Sequence, residues 1–349
     1  MTIKKKYKYF DFFAGIGGFN LAAHMTCSSK YELLHSGYCE IDPVARNFYE
    51  KAYLTDESIQ NIDDITKAKT KRNIKGVQLD DFDIMFGGFP CQSFSNVGYR
   101  RGLEDTRGKL FYNILDVLDF YSPSFFILEN VQKLSTIKKG GLLDEMIEAL
   151  ESIGEGYHLH VWDLIASDYG LPQKRKRLFF CGVKKSVSNK KEISKPPTVS
   201  LENTQYPTTW YLLEKGKVDE KHFIPTRTRQ TVLYKNPKWE GDVKIDNPIA
   251  RPITASMSKW HRANQDNYFS KSYIQGDDPF SRPIVDLNSE PIRRITPLEG
   301  FRIQGFPDKF SDIATELKIS YTAQYRLIGN AVPVQLANKV IQHFLDAYH

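Results

Sequence analysis

Residues 7–13 constrain the fold more than any other stretch. The run Tyr7 to Phe13 is strand-like, stops in the glycine turn Gly15-Ile16-Gly17-Gly18, and passes into a helix-like segment from Phe19. Strand, glycine turn and helix in succession open a doubly wound sheet, in which ligands bind beyond the carboxyl ends of the strands. The spelling Phe13-Ala14-Gly15-Ile16-Gly17-Gly18 is not G-x-G-x-x-G. It marks a tight turn beside a ligand without naming the ligand.

The pattern recurs along the chain. Leu33 to Ile41 reads as a second strand, and Pro43 opens a helix, because proline suits the first helical turn. Asp83 to Phe86 is a third strand. Leu110 to Tyr121 is helix-like, with Leu115 and Leu118 on one face, and Ser122-Pro123 stops it. Phe125 to Leu128 is a short apolar strand, Leu142 to Ile153 an amphipathic helix, and Tyr157 to Ile165 and Arg177 to Val183 further strands. Apolar, non-alternating strands between helices argue an α/β fold with a doubly wound, mostly parallel sheet covered on both faces. The texture changes after Val183. Lys184 to Pro207 is rich in Lys, Ser, Asn and Pro, and periodicity stays weak to Ser289. Gln335 to Tyr348 is again an amphipathic helix, so the chain is expected to return to its first domain.

With 349 residues, two domains are the expectation. These are residues 1–184 completed by 321–349, and a smaller irregular domain over 185–320. The formal charge of +6 is a mild basic excess that fits a polyanionic partner. Cys27, Cys39, Cys91 and Cys181 form no CxxC pair and no dense disulfide framework, which points to a reducing cytoplasm. The N-terminal MTIKKKYKYF lacks the apolar core of a signal peptide, and no apolar run reaches membrane-spanning length, so no membrane partner is expected. His158 and His160 share a strand face with no cysteine or carboxylate cluster nearby. They read as satisfied side chains, and no metal is expected.

Five constellations carry chemistry. Glu40 ends the second strand, where a carboxylate accepts hydrogen bonds from ribose hydroxyls. Ile41 beside it offers an apolar surface to an adenine, and Asp64-Ile65 reaches the adenine edge, so the ligand at the glycine turn reads as an adenosine. In Gly87 to Ser95, GGFPCQSFS, Cys91 follows an apolar strand among small residues. That setting fits either an inert buried cysteine or a nucleophile held where backbone meets ligand. Phe126 to Val131 is an apolar strand ending in Glu129-Asn130, which aims a carboxylate at the same sheet edge or simply caps a turn. In Gln173-Lys174-Arg175-Lys176-Arg177, alternate residues of a strand point one way, so Arg175 and Arg177 are expected to share a face. Arginine forks suit a phosphate or a carbonyl oxygen. Gly329-Asn330-Ala331-Val332-Pro333 is expected to open the last helix and to offer amide donors there.

Taken in order, FDFFAGIGG, GGFPCQSFS, LENV, QKRKR, Arg293 to Asp308 (RRITPLEGFRIQGFPD) and Gln324 to Pro333 (QYRLIGNAVP) resemble the sequential motifs of the DNA (cytosine-5)-methyltransferase family, bacterial type. The resemblance covers Phe10 to Val183 and Arg293 to Val340. It leaves out the middle, where that family keeps its variable target-recognition domain, here residues 200–290. It implies a Rossmann-like fold, S-adenosylmethionine as the adenosine ligand with S-adenosylhomocysteine as product, and a flipped cytosine in double-stranded DNA as substrate. By resemblance Phe13, Ala14, Gly15, Ile16, Gly17, Gly18, Glu40, Ile41, Asp64, Ile65, Gly88, Pro90, Leu110, Asn330 and Ala331 line the cofactor site. Related enzymes often place Trp where this chain has Ile41. Ser95 to Lys109 would form a loop that closes over DNA, with Arg100, Arg101 and Arg107 suited to phosphate. Arg227, Arg229, Thr254, Lys259 and Arg262 are the further DNA-contact expectations. Thr254 resembles a threonine of the family's recognition domain, although Ala255 stands where Leu is usual. The family further implies a bacterial cytoplasmic monomer, and leaves open whether a restriction endonuclease accompanies it.

The chemistry implied by the resemblance explains the residue types. Carbon-5 of cytosine is a poor nucleophile until a thiolate adds to carbon-6. Cys91 would be that nucleophile; a free thiol is only a few per cent ionised at neutral pH, so neighbouring groups must assist it. Glu129 would hold ring nitrogen 3 and the exocyclic amine, and positioned proton transfer is worth about 10²–10⁴ in rate. Arg177, and with it Arg175, would bind the carbonyl oxygen at position 2. Three rivals are weaker on the residues. A tRNA-methylating branch usually carries Cys-Phe-Thr after Glu-Asn-Val, where this chain continues Gln132-Lys133-Leu134. An inactive DNA-binding homologue does not need the intact Cys91, Glu129 and Arg177. A nicotinamide dehydrogenase has no use for Pro90-Cys91-Gln92.

Overall fold

The computed structural model describes residues 4–54, 58–90, 109–189, 192–234 and 244–349. The chain folds into two compact units. One comprises 1–164, 176–197 and 337–349; the other comprises 165–175 and 198–336.

The first unit is built on a seven-stranded sheet. Its strands are β1 (Lys5–Phe12), β2 (Tyr31–Cys39), β3 (Gln60–Ile62), β4 (Ile84–Gly88), β5 (Phe125–Val131), β6 (Tyr157–Ile165) and β7 (Lys176–Lys184). The order is β3-β2-β1-β4-β5-β7-β6. The pairs β1–β2, β2–β3, β1–β4 and β4–β5 are parallel, and β5–β7 is antiparallel. The sheet is therefore mostly parallel, as the apolar strands require. Helices α1 (Gly18–His24), α2 (Pro43–Tyr53), α3 (Lys109–Tyr121) and α4 (Gly141–Ser152) make the crossovers. Asp42 caps α2 by accepting from the Val44 N–H at 2.9 Å, and Pro43 takes the first turn, where its missing N–H costs nothing. The core is a sheet-and-helix cluster that includes Phe10, Phe12, Met85, Phe126, Leu128 and Phe180. Strand order reverses at β1, which has β2 on one side and β4 on the other. A doubly wound sheet opens its ligand crevice at the carboxyl ends of such strands.

The second unit has little regular structure. It holds α5 (Thr226–Leu233), β8 (Tyr268–Ser270), α6 (Lys271–Gln275), β9 (Ile292–Arg294), α7 (Pro297–Gln304), α8 (Lys309–Glu316) and α9 (Tyr321–Asn330). β8 and β9 pair antiparallel. A small core gathers Ile224, Val232, Leu233, Tyr268 and Ile292. Thr296 and Glu299 close a reciprocal capping box on α7. The last helix, α10 (Val334–Asp346), runs from this unit into the first. Among the described residues, no helix is long and apolar enough to cross a membrane.

Candidate active site

The glycine turn follows β1. Phe13, Gly15 and Gly17 all have left-handed backbone, with φ of 55°, 56° and 77°. Among the described residues, a Cβ on Gly15 would meet nothing within 4 Å, which leaves that side of the turn open to them. Gly17 is the reverse case, because a Cβ there would fall 2.1 Å from the ring of Tyr53. The Tyr53 hydroxyl donates to the carbonyls of Gly17 at 2.7 Å and Ile16 at 3.2 Å, so α2 grips the turn from behind. Nothing in the sequence singles out Tyr53, since an aromatic residue on an amphipathic helix reads as core.

Glu40, just past β2, is buried and aimed at the same turn. Its Oε2 accepts from the Gly15 N–H at 2.7 Å and its Oε1 from the Asp42 N–H at 2.8 Å. Burial raises its carboxyl pKa, and the two N–H donors oppose the rise. Ile41, beside this buried carboxylate, is 68% exposed. Ile65 is buried, and the carboxylate of Asp64 accepts from the Thr66 N–H at 2.9 Å. Beneath the turn, Asp11 is wholly enclosed. Burial drives its pKa well up, and the charge of Glu40 adds to this. Asp11 is a second residue that apolar patterning does not reveal, since it lies inside a strand-like run.

Strand register builds the other half of the site. Gly88 of β4 pairs with Glu129 of β5, and Glu129 with Phe179 of β7. Arg177 lies two residues before Phe179 and so falls diagonally on the Glu129 face. Its Nε forms an ion pair with Glu129 Oε1 that closes no aligned hydrogen bond, and both side chains are about nine-tenths buried, at 12% and 11% exposure. Arg177 Nη1 donates to the Lys176 carbonyl at 2.7 Å. Among the described residues, a Cβ on Gly88 would meet one atom, Glu129 Oε2 at 3.4 Å. Asn130 is buried; its Nδ2 donates to the Phe89 carbonyl at 3.2 Å and its Oδ1 accepts from the Val131 N–H at 2.8 Å. It fixes the peptide that leads into Pro90. Cys91, Ser95, Arg100, Arg101 and Arg107 lie outside the described residues. Leu110 is half-buried in the first turn of α3.

The remaining expectations fall in the second unit. Arg175 is tied to three backbone carbonyls of its own unit. Its Nη1 donates to the Ile253 carbonyl at 2.6 Å, and its Nη2 to those of Gly329 at 2.8 Å and Ala331 at 3.0 Å. Gly329-Asn330 ends α9 and does not open α10, so this segment presents carbonyls where amide donors were expected. Asn330 is exposed and Ala331 buried. Arg229 donates to the carbonyls of Leu287 and Glu290, while Arg227, Thr254 and Lys259 are exposed and Arg262 is half-exposed. Trp260 is stacked by Arg294, whose guanidinium carbon sits 3.2 Å from the ring centroid.

Glu129 and Arg177 thus form a buried carboxylate–guanidinium pair near the end of β5. The family described as C-5 cytosine-specific DNA methylase matches residues 7–345. The type II methyltransferase M1.ScrFI of Lactococcus lactis subsp. cremoris is 33% identical over 348 residues, spanning 98% of this chain and 78% of that protein. M.HpaII of Haemophilus parainfluenzae is 29% identical over 341 residues, spanning 95% and 87%. Among solved structures, the Entamoeba histolytica methyltransferase EhMeth superposes with a TM-score of 0.73 at 18% identity, over 99% of this chain and 100% of that one. The S. pombe Dnmt2 methyltransferase gives 0.68 at 15% identity, over 98% and 99%. These two likenesses bear on the fold alone. The chain belongs to the C-5 cytosine-specific DNA methylases and is a DNA (cytosine-5-)-methyltransferase.

Proposed function

We propose that the enzyme methylates a flipped-out cytosine within a specific site of duplex DNA, through a covalent bond from Cys91 and with S-adenosylmethionine as donor. The observation that carries this reading is the Glu129–Arg177 pair at the edge of β5, set against Gly88 and two residues short of the proline that precedes Cys91. The residues around the glycine turn fit the donor. Gly15 leaves space open to the described residues, Glu40 is fixed by two backbone donors, and exposed Ile41 offers an apolar face to an adenine.

When bound, that donor supplies an electrophilic methyl group. The chain's own residues do the rest. Glu40 orients the ribose. The Cys91 thiolate adds to carbon-6 of the cytosine, which makes carbon-5 nucleophilic. Glu129 holds ring nitrogen 3 and the exocyclic amine, and Arg177 holds the carbonyl oxygen where negative charge collects. In the absence of a base these two side chains hold each other, so the incoming cytosine exchanges one contact for two and no charge is stranded. After methylation the carbon-5 proton leaves and the Cys91 sulfur is expelled. Taking the cytosine out of the stack costs a few kcal/mol. Exposed Arg227, Thr254 and Lys259, with Arg262, are the second unit's contributions to the compensating contacts. We read the biological role as the modification half of a restriction-modification system; relatives named type II methyltransferases support this.

Glu40→Ala tests the donor site. A hydrogen bond to a charged group contributes about 1.5–3 kcal/mol, so the dissociation constant for S-adenosylmethionine should rise about 30-fold by equilibrium titration while circular dichroism stays that of the parent. An unchanged constant would put the donor elsewhere.

A further inference from the structure

Several buried polar side chains have no part in the chemistry above, and they converge on one short segment. Gln173 and Gln304 are wholly buried and Arg175 is 3% exposed. Residues 172–174 run alongside residue 250: the Ala250 N–H donates to the Pro172 carbonyl and the Lys174 N–H to the Ala250 carbonyl, each at 2.8 Å. Three residues on, the Ile253 carbonyl accepts from Arg175 at 2.6 Å and the Ile253 N–H donates to Gln173 Oε1 at 3.4 Å. The peptides on both sides of Ile253 are thus pinned. Gln173 Nε2 also donates to the Ile303 carbonyl and to Gln304 Oε1, and Gln304 Nε2 to the carbonyls of Ile328 and Ala331. Arg175 completes the set on Gly329 and Ala331. Gly329 also packs closely on this segment, where a Cβ would fall 2.3 Å from the Ala255 nitrogen and 2.4 Å from the Thr254 carbonyl carbon.

Burying a guanidinium costs several kcal/mol before its partners repay it, so such a group is retained more readily for defined geometry than for stability. The geometry it defines here is that of Thr254. Ile253 is buried and clamped, and Thr254, the next residue, is exposed. We propose that Arg175 is a positioning residue for methyl transfer: with Gln173 and Gln304 it locks the Ile253 backbone so that the Thr254 hydroxyl is presented to the DNA backbone. This rests on the reading that duplex DNA is the substrate and that Thr254 faces it. A threonine hydroxyl is a suitable phosphate donor, and phosphate contacts set the register of a protein on its site.

A double-mutant cycle on the full chain tests the proposal. The probe is unmethylated duplex DNA carrying the enzyme's site, with S-adenosylhomocysteine present. Arg175→Lys keeps the charge but loses the planar fork that spans three carbonyls. It should weaken DNA binding about tenfold, as should Thr254→Ala. If Arg175 acts through Thr254, the double variant should bind no more than about threefold more weakly than Thr254→Ala alone, whereas independent effects would weaken it about tenfold further, to about 100-fold below the parent. Multiplication would overturn the clamp. Should Arg175→Lys fail to fold, Gly329→Ala displaces the same segment with Arg175 intact. Its loss should likewise vanish in the Thr254→Ala background, and a multiplicative loss there would overturn the clamp equally. A Thr254→Ala variant that binds DNA as the parent does would instead remove the reading on which the clamp rests.

Discussion

At the scale of single residues, the site depends on groups that do not touch ligand. The Tyr53 hydroxyl holds two carbonyls of the glycine turn, and its ring fills the space that Gly17 leaves by lacking a Cβ. Tyr53→Phe keeps the ring and removes the donor. It should cost about 1 kcal/mol in urea unfolding and weaken S-adenosylmethionine about threefold. Unchanged values in both would mean that the turn holds its shape unaided. The glycines themselves are legible in the sequence, because left-handed φ at 15 and 17 favours residues without a Cβ. Glu40 and Glu129 are legible as carboxylates at the ends of apolar runs. Arg175 and Arg177 are not separable by spacing. The alternation rule holds only inside a strand, and β7 begins at Lys176, so Arg175 lies outside the strand that aims Arg177 at Glu129.

At the scale of elements, strands and helices of the first unit follow from apolar runs and stop signals, and their bounds fall within a few residues of expectation. The short strand β3 is the exception there, because Gln60-Asn61-Ile62 offers no apolar run; in the second unit, α9 extends to Asn330 before α10 begins. The second unit is opaque to periodicity for a physical reason. Its loops are tied by side chains to backbone carbonyls, as in Arg294 to Met257 and Arg251 to Ala263, and such ties leave no apolar period. One loop carries a marked electrostatic cost. Asp266 is buried, with one oxygen bonded to the Asn267 N–H at 2.9 Å and the other 3.8 Å from the His261 ring nitrogen Nδ1. Burial raises its pKa to about 6, against donors and charges from Asn267, Arg294 and Arg251. The folded-state value exceeds the unfolded one of about 4, so the fold holds the proton more tightly. That contribution is complete below about pH 4 and is lost as pH rises through 6. Asp266→Asn should therefore gain about 2 kcal/mol over the parent at pH 8 in urea unfolding, and the gain should shrink towards pH 4. A gain independent of pH would contradict this assignment.

At the scale of the whole molecule, the order β3-β2-β1-β4-β5-β7-β6 brings the glycine turn after β1 and the Pro90 segment after β4 to neighbouring strand ends. The residues proposed to bind the adenosine and the cytosine, far apart in sequence, thereby share one sheet edge. Strand order is not readable from apolar runs, since each run is compatible with many neighbours; the succession of six motifs makes the arrangement recognisable. The most direct measurement is transfer of labelled methyl from S-adenosylmethionine to unmethylated duplex DNA and, in parallel, to tRNA, with product mapped at base resolution and Cys91→Ala as control. The expected result is 5-methylcytosine at a defined DNA site, abolished in Cys91→Ala although that variant still binds the donor. Undiminished DNA methylation by Cys91→Ala would contradict the covalent mechanism, and label confined to tRNA would contradict the substrate.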